Sequence, residues 1–176
     1  APPHPDPEHN PVLRQFAEAR RRWRDDPYRP RYHFVDPDGG LNDPNGLCFW
    51  QGHWHLFYQA YPPANPKPHW GHAVSTDLIH WRDLPYALAP GPEESCWSGA
   101  TWVEADRVIA IYYGHPIGNM VAVARDPILL DWEKLTGQAV IPNPCPVWTR
   151  ATGDERTVDG IRFTPTGSDA IVDVSF

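Results

Sequence analysis

The chain has 176 residues, with 22 Pro, 9 Trp and 7 Tyr against a single Met; it is long enough for one domain with a sizeable core, and its aromatics and turn formers point to an all-β architecture of short strands. A formal net charge of −7 argues against nucleic acid or an anionic membrane as the main partner. Cys48, Cys96 and Cys145 show no CxxC spacing and no His/Cys cluster, so neither a zinc site nor a disulfide framework is expected, and no apolar run approaches a membrane span.

Residues 1–10 are rich in Pro and charge and are expected to be disordered. The start, Ala1-Pro2-Pro3-His4-Pro5, lacks the charged and apolar regions of a signal peptide. Pro11 to Asp25 is predicted as one helix with Val12, Leu13, Phe16 and Trp23 as its apolar positions. Its Arg20-Arg21-Arg22 run reads as a solvated face. After Tyr28–Phe34 comes Asn42-Asp43-Pro44-Asn45-Gly46. Pro44 fixes φ and Asn45-Gly46 tolerates positive φ, so a sharp polar turn is predicted. It precedes the apolar run Leu47–Trp50 and a hairpin through Gln51-Gly52-His53 to Trp54–Tyr58. A carboxylate held on such backbone suits a catalytic role for Asp43. It equally suits an Asx cap of its own turn.

From there the chain repeats itself. Ile79-His80-Trp81-Arg82-Asp83-Leu84 is echoed by Leu130-Asp131-Trp132-Glu133-Lys134-Leu135, and Trp81 to Trp132 is 132 − 81 = 51 positions. Leu56-Phe57-Tyr58 is echoed by Ile111-Tyr112-Tyr113, and Ala89-Pro90 by Ile141-Pro142. A period of about 50 with several short strands per unit marks propeller blades. The strands of one blade are predicted at 46–51, 54–60, 70–75 and 79–84. Those of the next are predicted at 99–104, 107–113, 119–124 and 130–135. Trp81 and Trp132 are expected to pack between blades. A weaker third unit starts near Pro146, with strands near 160–163 and 170–175. Two blades and part of a third cannot close a ring, so self-association through an unclosed blade face is expected.

The ordered motifs resemble the opening of glycoside hydrolase family 32, the invertases, inulinases and levanases. They are Arg29-Pro30-Arg31-Tyr32-His33-Phe34, Leu41-Asn42-Asp43-Pro44-Asn45-Gly46 and His55-Leu56-Phe57-Tyr58-Gln59. His69-Trp70-Gly71-His72-Ala73-Val74-Ser75, Asp77-Leu78-Ile79-His80-Trp81, Leu84–Pro90 and Cys96-Trp97-Ser98-Gly99 continue the match. The resemblance runs from about 29 to 142. It implies a five-bladed β-propeller, of which two to three blades fall in this chain, behind a short N-terminal helix. It implies a retaining attack on a terminal β-D-fructofuranosyl unit of sucrose or a fructan, without a cofactor. Asp43 would be the nucleophile, Asn42 and Gln59 would bond the fructose hydroxyls, and Trp97 and Ser98 would line the subsite. Trp70 is grouped with them as substrate-binding. The implied boundaries are an extension at 1–28 and part of the propeller domain at 29–176.

The chemistry agrees with the residues. A carboxylate near the anomeric carbon stabilises an oxocarbenium-like state and then traps it, and a turn rich in N–H donors helps to keep it ionised. The family's acid/base is a Glu followed by Cys, and this chain has no Glu-Cys pair. Glu94 and Glu133 are not assigned to catalysis. Arg125-Asp126-Pro127 looks like the family's transition-state triplet, but the repeat puts it in the turn before an outer strand, where a structural role is expected. The loop Pro62–Pro68 is shorter than the family's and lacks its Trp, so aglycone recognition is not carried over. The expectation is the N-terminal part of a β-fructofuranosidase, weakly active or inactive alone. The alternatives are a non-catalytic fructan-binding module using Asn42, Gln59 and Trp97, and a related five-bladed arabinan or xylan hydrolase. The Trp-Gly-His-Ala-Val-Ser and Trp-Ser-Gly motifs argue against the last.

Overall fold

Asn10 starts the first element. Its side-chain oxygen accepts hydrogen bonds from the Val12 and Leu13 amides at 3.0 and 3.2 Å, and Pro11 fills the first helical position, where no N–H is needed. The helix α1 (Pro11–Arg22) follows. This computed structural model describes residues 9–30, 32, 34–37, 40–135 and 137–142, with the backbone of three further strands at 156–158, 161–165 and 172–175. Of the disorder expected over residues 1–10, residues 1–8 lie outside the described residues, whereas Asn10 is ordered as the cap of α1.

Leu13 and Phe16 of α1 are buried, and Phe16 meets Tyr86 edge-on with ring centroids 5.5 Å apart. The helix ends at Arg22 rather than Asp25. Trp23 caps it at 42 % exposure instead of joining the core, with the Arg22 guanidinium over its ring. Arg20 also departs from expectation. Its guanidinium grips the Asp83 carboxylate through Nε and through Nη2, the latter at 2.6 Å, and Nη2 also donates to the Val35 carbonyl at 3.1 Å. Such a two-pronged pair fixes geometry as well as charge. Its partner lies 63 positions away, which no local pattern could show.

The first sheet is antiparallel in the order β1 (Asn42–Trp50), β2 (His53–Ala60), β3 (His69–Ser75) and β4 (Trp81–Leu88). The second runs β5 (Ser95–Val103), β6 (Val108–His115), β7 (Gly118–Ala124) and β8 (Trp132–Lys134), and the short β9 (Ile141–Pro142) also pairs with β7. Each of the two is a four-stranded meander, as the 51-residue repeat implies. A third sheet has the order β10 (Arg156–Val158), β11 (Ile161–Pro165) and β12 (Val172–Ser175). The predicted start of that unit near Pro146 lies outside the described residues.

The core lies between the first two sheets. Cys48, Trp50, Phe57, Trp70 and Leu88 from one side pack with Cys96, Val108, Ala110, Tyr112, Met120, Ala122 and Leu129 from the other. Strand side chains alternate faces. Ile109, Val121 and Val123 therefore point away from this core, into a second cluster with Val140. Burial on both faces is why β6 and β7 read as continuous apolar runs. Cys48 and Cys96 are free, buried thiols, and burial pushes the Cys48 thiol up to about 11; Cys145 lies outside the described residues.

The repeat extends to backbone conformation. Leu78 and Leu129, each three residues before a repeat tryptophan, both have positive φ, 65° and 53°. The indole N–H of Trp81 donates to the Leu78 carbonyl at 3.1 Å, and that of Trp132 to the Leu129 carbonyl at 2.9 Å. Trp132 packs on Phe57 of the first sheet, as expected of an inter-blade tryptophan, whereas Trp81 meets Phe34 of the N-terminal segment. Asp126 organises its turn by accepting from the Ile128, Leu130 and Asp131 amides. Its own carbonyl takes the Trp50 indole N–H at 3.0 Å, tying the two sheets together.

Two histidines sit inside this packing. His55 Nδ1 and His72 Nε2 are 2.9 Å apart, both rings are fully buried, and Phe57 stacks on His72 at 4.5 Å. Burial holds His55 down to about 4, helped by His53 and opposed by Asp126; burial and the His55 neighbour hold His72 well below the ordinary value. The folded chain thus refuses protons that the unfolded chain accepts below about 6.5. Stability should be full above that pH and fall as pH drops toward 4, by up to roughly 1.4 kcal/mol per pH unit for each histidine. Urea midpoints measured across this range should fall less steeply for His72→Gln than for the parent. An unchanged slope would contradict the assignment.

Candidate active site

Two β-bulges face each other at the starts of neighbouring strands. Along β1 and β2 the register is Asn42 with Gln59 and Pro44 with Tyr58. Asp43 is therefore the extra residue of a bulge. Along β5 and β6, Cys96 pairs with Gly114 and Gly99 with Tyr112, so Trp97 and Ser98 together oppose Tyr113 alone. A bulge twists the strand and re-aims its side chains. Here the result is a direct link, the Ser98 hydroxyl donating to Asp43 Oδ2 at 2.8 Å.

The Asn-Asp-Pro-Asn-Gly motif is thus not a turn ahead of a strand but the bulged start of β1 itself. The cap of its bend comes from Asn45, whose Nδ2 donates to the Asp43 carbonyl at 3.1 Å. That leaves the Asp43 carboxylate to bond across the strands. Gly46 has φ +56°, and a Cβ there would lie 3.0 Å from the Thr101 methyl and 3.2 Å from the Phe57 and Trp70 rings. This close approach lets Thr101 Oγ1 donate to the Gly46 carbonyl at 2.9 Å, a second tie between β1 and β5. At Gly99 a Cβ would meet the Ile111 carbonyl at 2.1 Å, so only glycine lets β5 close on β6 below the bulge.

The other candidate residues gather round this link. Asn42 and Asp43 are exposed, and Trp97 is 46 % exposed. Gln59 is buried, its Nε2 donating to the Cys96 carbonyl at 3.2 Å and its Oε1 accepting from the Tyr61 hydroxyl at 3.5 Å. Asn42 Nδ2 donates to that same Tyr61 oxygen at 3.3 Å. Trp70 is fully buried beneath the surface, its ring on Phe57 and Tyr112 and its Nε1–H on the Trp97 carbonyl at 2.8 Å. All six residues proposed from sequence thus lie in one bonded neighbourhood, with Trp70 and Gln59 as its buried floor. Sequence reasoning missed Tyr61. Its signal was its position two residues beyond Gln59, the spacing that keeps two extended residues on one face.

The two glutamates just ahead of Trp97 and Ser98 bond away from the Asp43–Ser98 pair. Glu93 is buried under β5, where it accepts from the Tyr112 hydroxyl at 2.8 Å, from the Cys96 thiol at 3.1 Å and from the Lys134 ammonium. Burial pushes its carboxyl up, but these donors, Lys134 first, bring it below its ordinary value. Glu94 is exposed and pairs with Lys67 at 3.6 Å. Glu133 is exposed on β8. Among the described residues no group of three His, Cys, Asp or Glu side chains is placed to hold a metal ion.

The model of the Glycosyl hydrolases family 32 N-terminal domain matches residues 33–155. A levanase of Bacillus subtilis is 38% identical over 144 residues, covering 72% of this chain and 21% of that protein. A fructan 6-exohydrolase of Beta vulgaris is 40% identical over 63% of this chain and 21% of its own length. The solved GH32 β-fructofuranosidase of Bombyx mori superimposes with a TM-score of 0.61 at 28% identity, over 85% of this chain and 35% of that one. The chain spans about a fifth of the length of the curated relatives it matches.

The close approach at Gly46 can be measured against a control. Gly46→Ala is expected to lower stability by roughly 2–4 kcal/mol, through positive φ and contact together. Gly52 also has positive φ, +86°, but a Cβ there would meet nothing within 4 Å, so Gly52→Ala should lose only about 1 kcal/mol. Equal losses in denaturant titrations would remove the argument from close packing.

Proposed function

The chain belongs to glycosyl hydrolases family 32, and on that premise we propose that it supplies the nucleophile side of a site that cleaves terminal β-D-fructofuranosyl residues from sucrose or fructans. In this reading residues 29–176 are part of the catalytic domain. Residues 1–28 are an extension whose helix docks through Phe16 and Arg20. The observation that carries the proposal is the Ser98–Asp43 hydrogen bond across two facing bulges. The levanase and fructan exohydrolase relatives, and a Bombyx mori variant solved in complex with sucrose, support the substrate class.

The mechanism follows from that geometry. Ser98 holds one oxygen of the Asp43 carboxylate, leaving the other to attack the anomeric carbon and form a fructosyl ester. Positive charge that builds on the ring oxygen and anomeric carbon is stabilised by the carboxylate before the bond forms. Asn42 and the exposed Trp97 border the ring, one offering an amide and the other an apolar face. Gln59 is locked by the Cys96 carbonyl and Tyr61, and Trp70 holds the Trp97 carbonyl, so both act by keeping the site rigid. Retaining cleavage also needs a second carboxyl group roughly 5–5.5 Å from the first. None of the described acidic residues bonds at the Asp43–Ser98 pair. With no proton donor placed there among the described residues, departure of a sugar alkoxide is expected to be slow, an effect typically of roughly 10²–10⁴-fold.

A donor that leaves without a proton isolates the nucleophile. β-Fructofuranosyl fluoride should release fluoride and leave a fructosyl ester on the Asp43 peptide, detected by mass spectrometry. Asp43→Ala should abolish both. Sucrose turnover should be at least about 100-fold slower than fluoride release. Fluoride release unaffected by Asp43→Ala would end the proposal. Sugar binding with no ester would favour the non-catalytic module instead.

A second, independent proposal concerns association. Leu47 and Phe49, on the face of β1 turned from the core, are 52 % and 49 % exposed, and adjacent apolar side chains of this size favour self-contact. The chain should elute progressively earlier in size-exclusion runs as its concentration rises, and Leu47→Glu with Phe49→Glu should abolish the shift. A concentration-independent monomer would refute it.

A further inference from the structure

Tyr61 follows β2 by one residue, and its hydroxyl joins two side-chain amides. It accepts from Asn42 Nδ2 at 3.3 Å and donates to Gln59 Oε1 at 3.5 Å. Gln59 Nε2 in turn donates to the Cys96 carbonyl at 3.2 Å. The series therefore runs from the exposed Asn42 to the backbone at the start of the bulge that carries Trp97 and Ser98.

Its direction is fixed at the buried end. A backbone carbonyl can only accept, so Gln59 must present its NH2 group to Cys96 and its oxygen to Tyr61. Gln59 is 1 % exposed, and a buried amide oxygen needs a donor. The Tyr61 hydroxyl supplies it, which commits its one proton inward. The Tyr61 oxygen is then an acceptor on its outer side, and Asn42 must turn its NH2 group toward it. That leaves Asn42 Oδ1, which can only accept, as the atom offered to a ligand next to Asp43. An asparagine without such a neighbour presents either end, since half a turn of the amide exchanges them. The two outer links are longer than an ordinary hydrogen bond, so they set a direction rather than add much stability.

On the fructosyl reading of the site, on which this inference rests, we propose that Tyr61 is a positioning residue. It holds the Asn42 amide with its oxygen toward the sugar, so that the site selects a ring hydroxyl able to donate. A site built to take a hydroxyl proton rejects an analogue that lacks it, because its own polar group is left unpaired. Tyr61 thus acts through Asn42 and does not itself touch the sugar.

Binding of methyl β-D-fructofuranoside and of its 1-, 3-, 4- and 6-deoxyfluoro derivatives to the whole chain, followed by NMR titration, tests this. Fluorine keeps the acceptor of a hydroxyl and removes the donor. At least one derivative should bind about tenfold more weakly than the unmodified glycoside, and Asn42→Ala should erase that penalty. The deoxy compound with hydrogen at the same position should bind no worse than the fluoro one, since Oδ1 offers fluorine nothing. Tyr61→Phe frees the Asn42 amide to turn, and the penalty should shrink to about twofold. A role in folding alone would weaken every probe alike and leave the ratio unchanged. The comparison of hydrogen with fluorine in the parent chain reads the amide's direction even if Tyr61→Phe fails to fold. The inference is overturned if no fluoro derivative is penalised, or if the penalty survives Asn42→Ala or Tyr61→Phe. Binding of the deoxy compound more weakly than the fluoro one overturns it as well. If fluoride release and the Asp43 ester are absent while the penalty and its loss in Tyr61→Phe are seen, the catalytic reading falls and the role of Tyr61 stands. Ester formation without any penalty sinks the role of Tyr61 alone.

Discussion

The contact between the two innermost strands is the constraint on which the candidate site depends. β1 and β5 belong to different sheets, so no shared hydrogen-bond ladder holds them in register. Two side-chain bonds do so instead, Ser98 to Asp43 and Thr101 to the Gly46 carbonyl. Both need the strands to approach closely, and the glycines at 46 and 99 remove the side chains that would hold the backbones apart. A bulge on each strand then turns the polar residues toward each other. The site is a product of inter-sheet packing rather than of either sheet alone.

The packing that sets this distance has a clear division of labour. Apolar side chains on the facing surfaces supply most of the driving force, which is non-directional. Direction comes from a few buried polar contacts. Trp50 donates to the Asp126 carbonyl, Trp70 to the Trp97 carbonyl and Gln59 to the Cys96 carbonyl. Each joins the first sheet to the second, and two of the three end on the bulge that carries Trp97 and Ser98. Buried donors that would otherwise be unsatisfied therefore fix how the sheets sit, because slippage would break them without water to replace them. Lys134 and Glu93 do the same for the link between the sheets, tying β8 to the segment ahead of β5.

The two sheets were legible because a repeated sequence repeats its structure. The tryptophans 51 positions apart, the apolar runs between them and the turn formers around them all reappear as matching strands. Even the left-handed leucines at 78 and 129 recur. The two strands that matter most start earlier than their apolar runs suggest. β1 begins at Asn42 and β5 at Ser95, each four residues before its predicted start. Both beginnings are polar, bulged and rich in residues that signal turns, so neither shows the alternation by which a strand is recognised. Arg20 was misread for another reason. Its neighbours in sequence are arginines, whereas its partner Asp83 and its ring contact Phe34 come from distant parts of the chain.

The sequence by itself determined the residue chemistry: an all-β chain of repeated units, and six candidate side chains in motifs that resemble one family. Composition and period suffice for that, because local preferences and alternation are short-range properties. Tertiary structure alone decided which of those side chains reach the surface and which support it. Asn42, Asp43 and Trp97 face outward, whereas Gln59 and Trp70 lie beneath them, joined by Tyr61 and by carbonyl groups that no motif records. Burial depends on how one sheet lies against another, and that is settled by contacts between residues tens of positions apart.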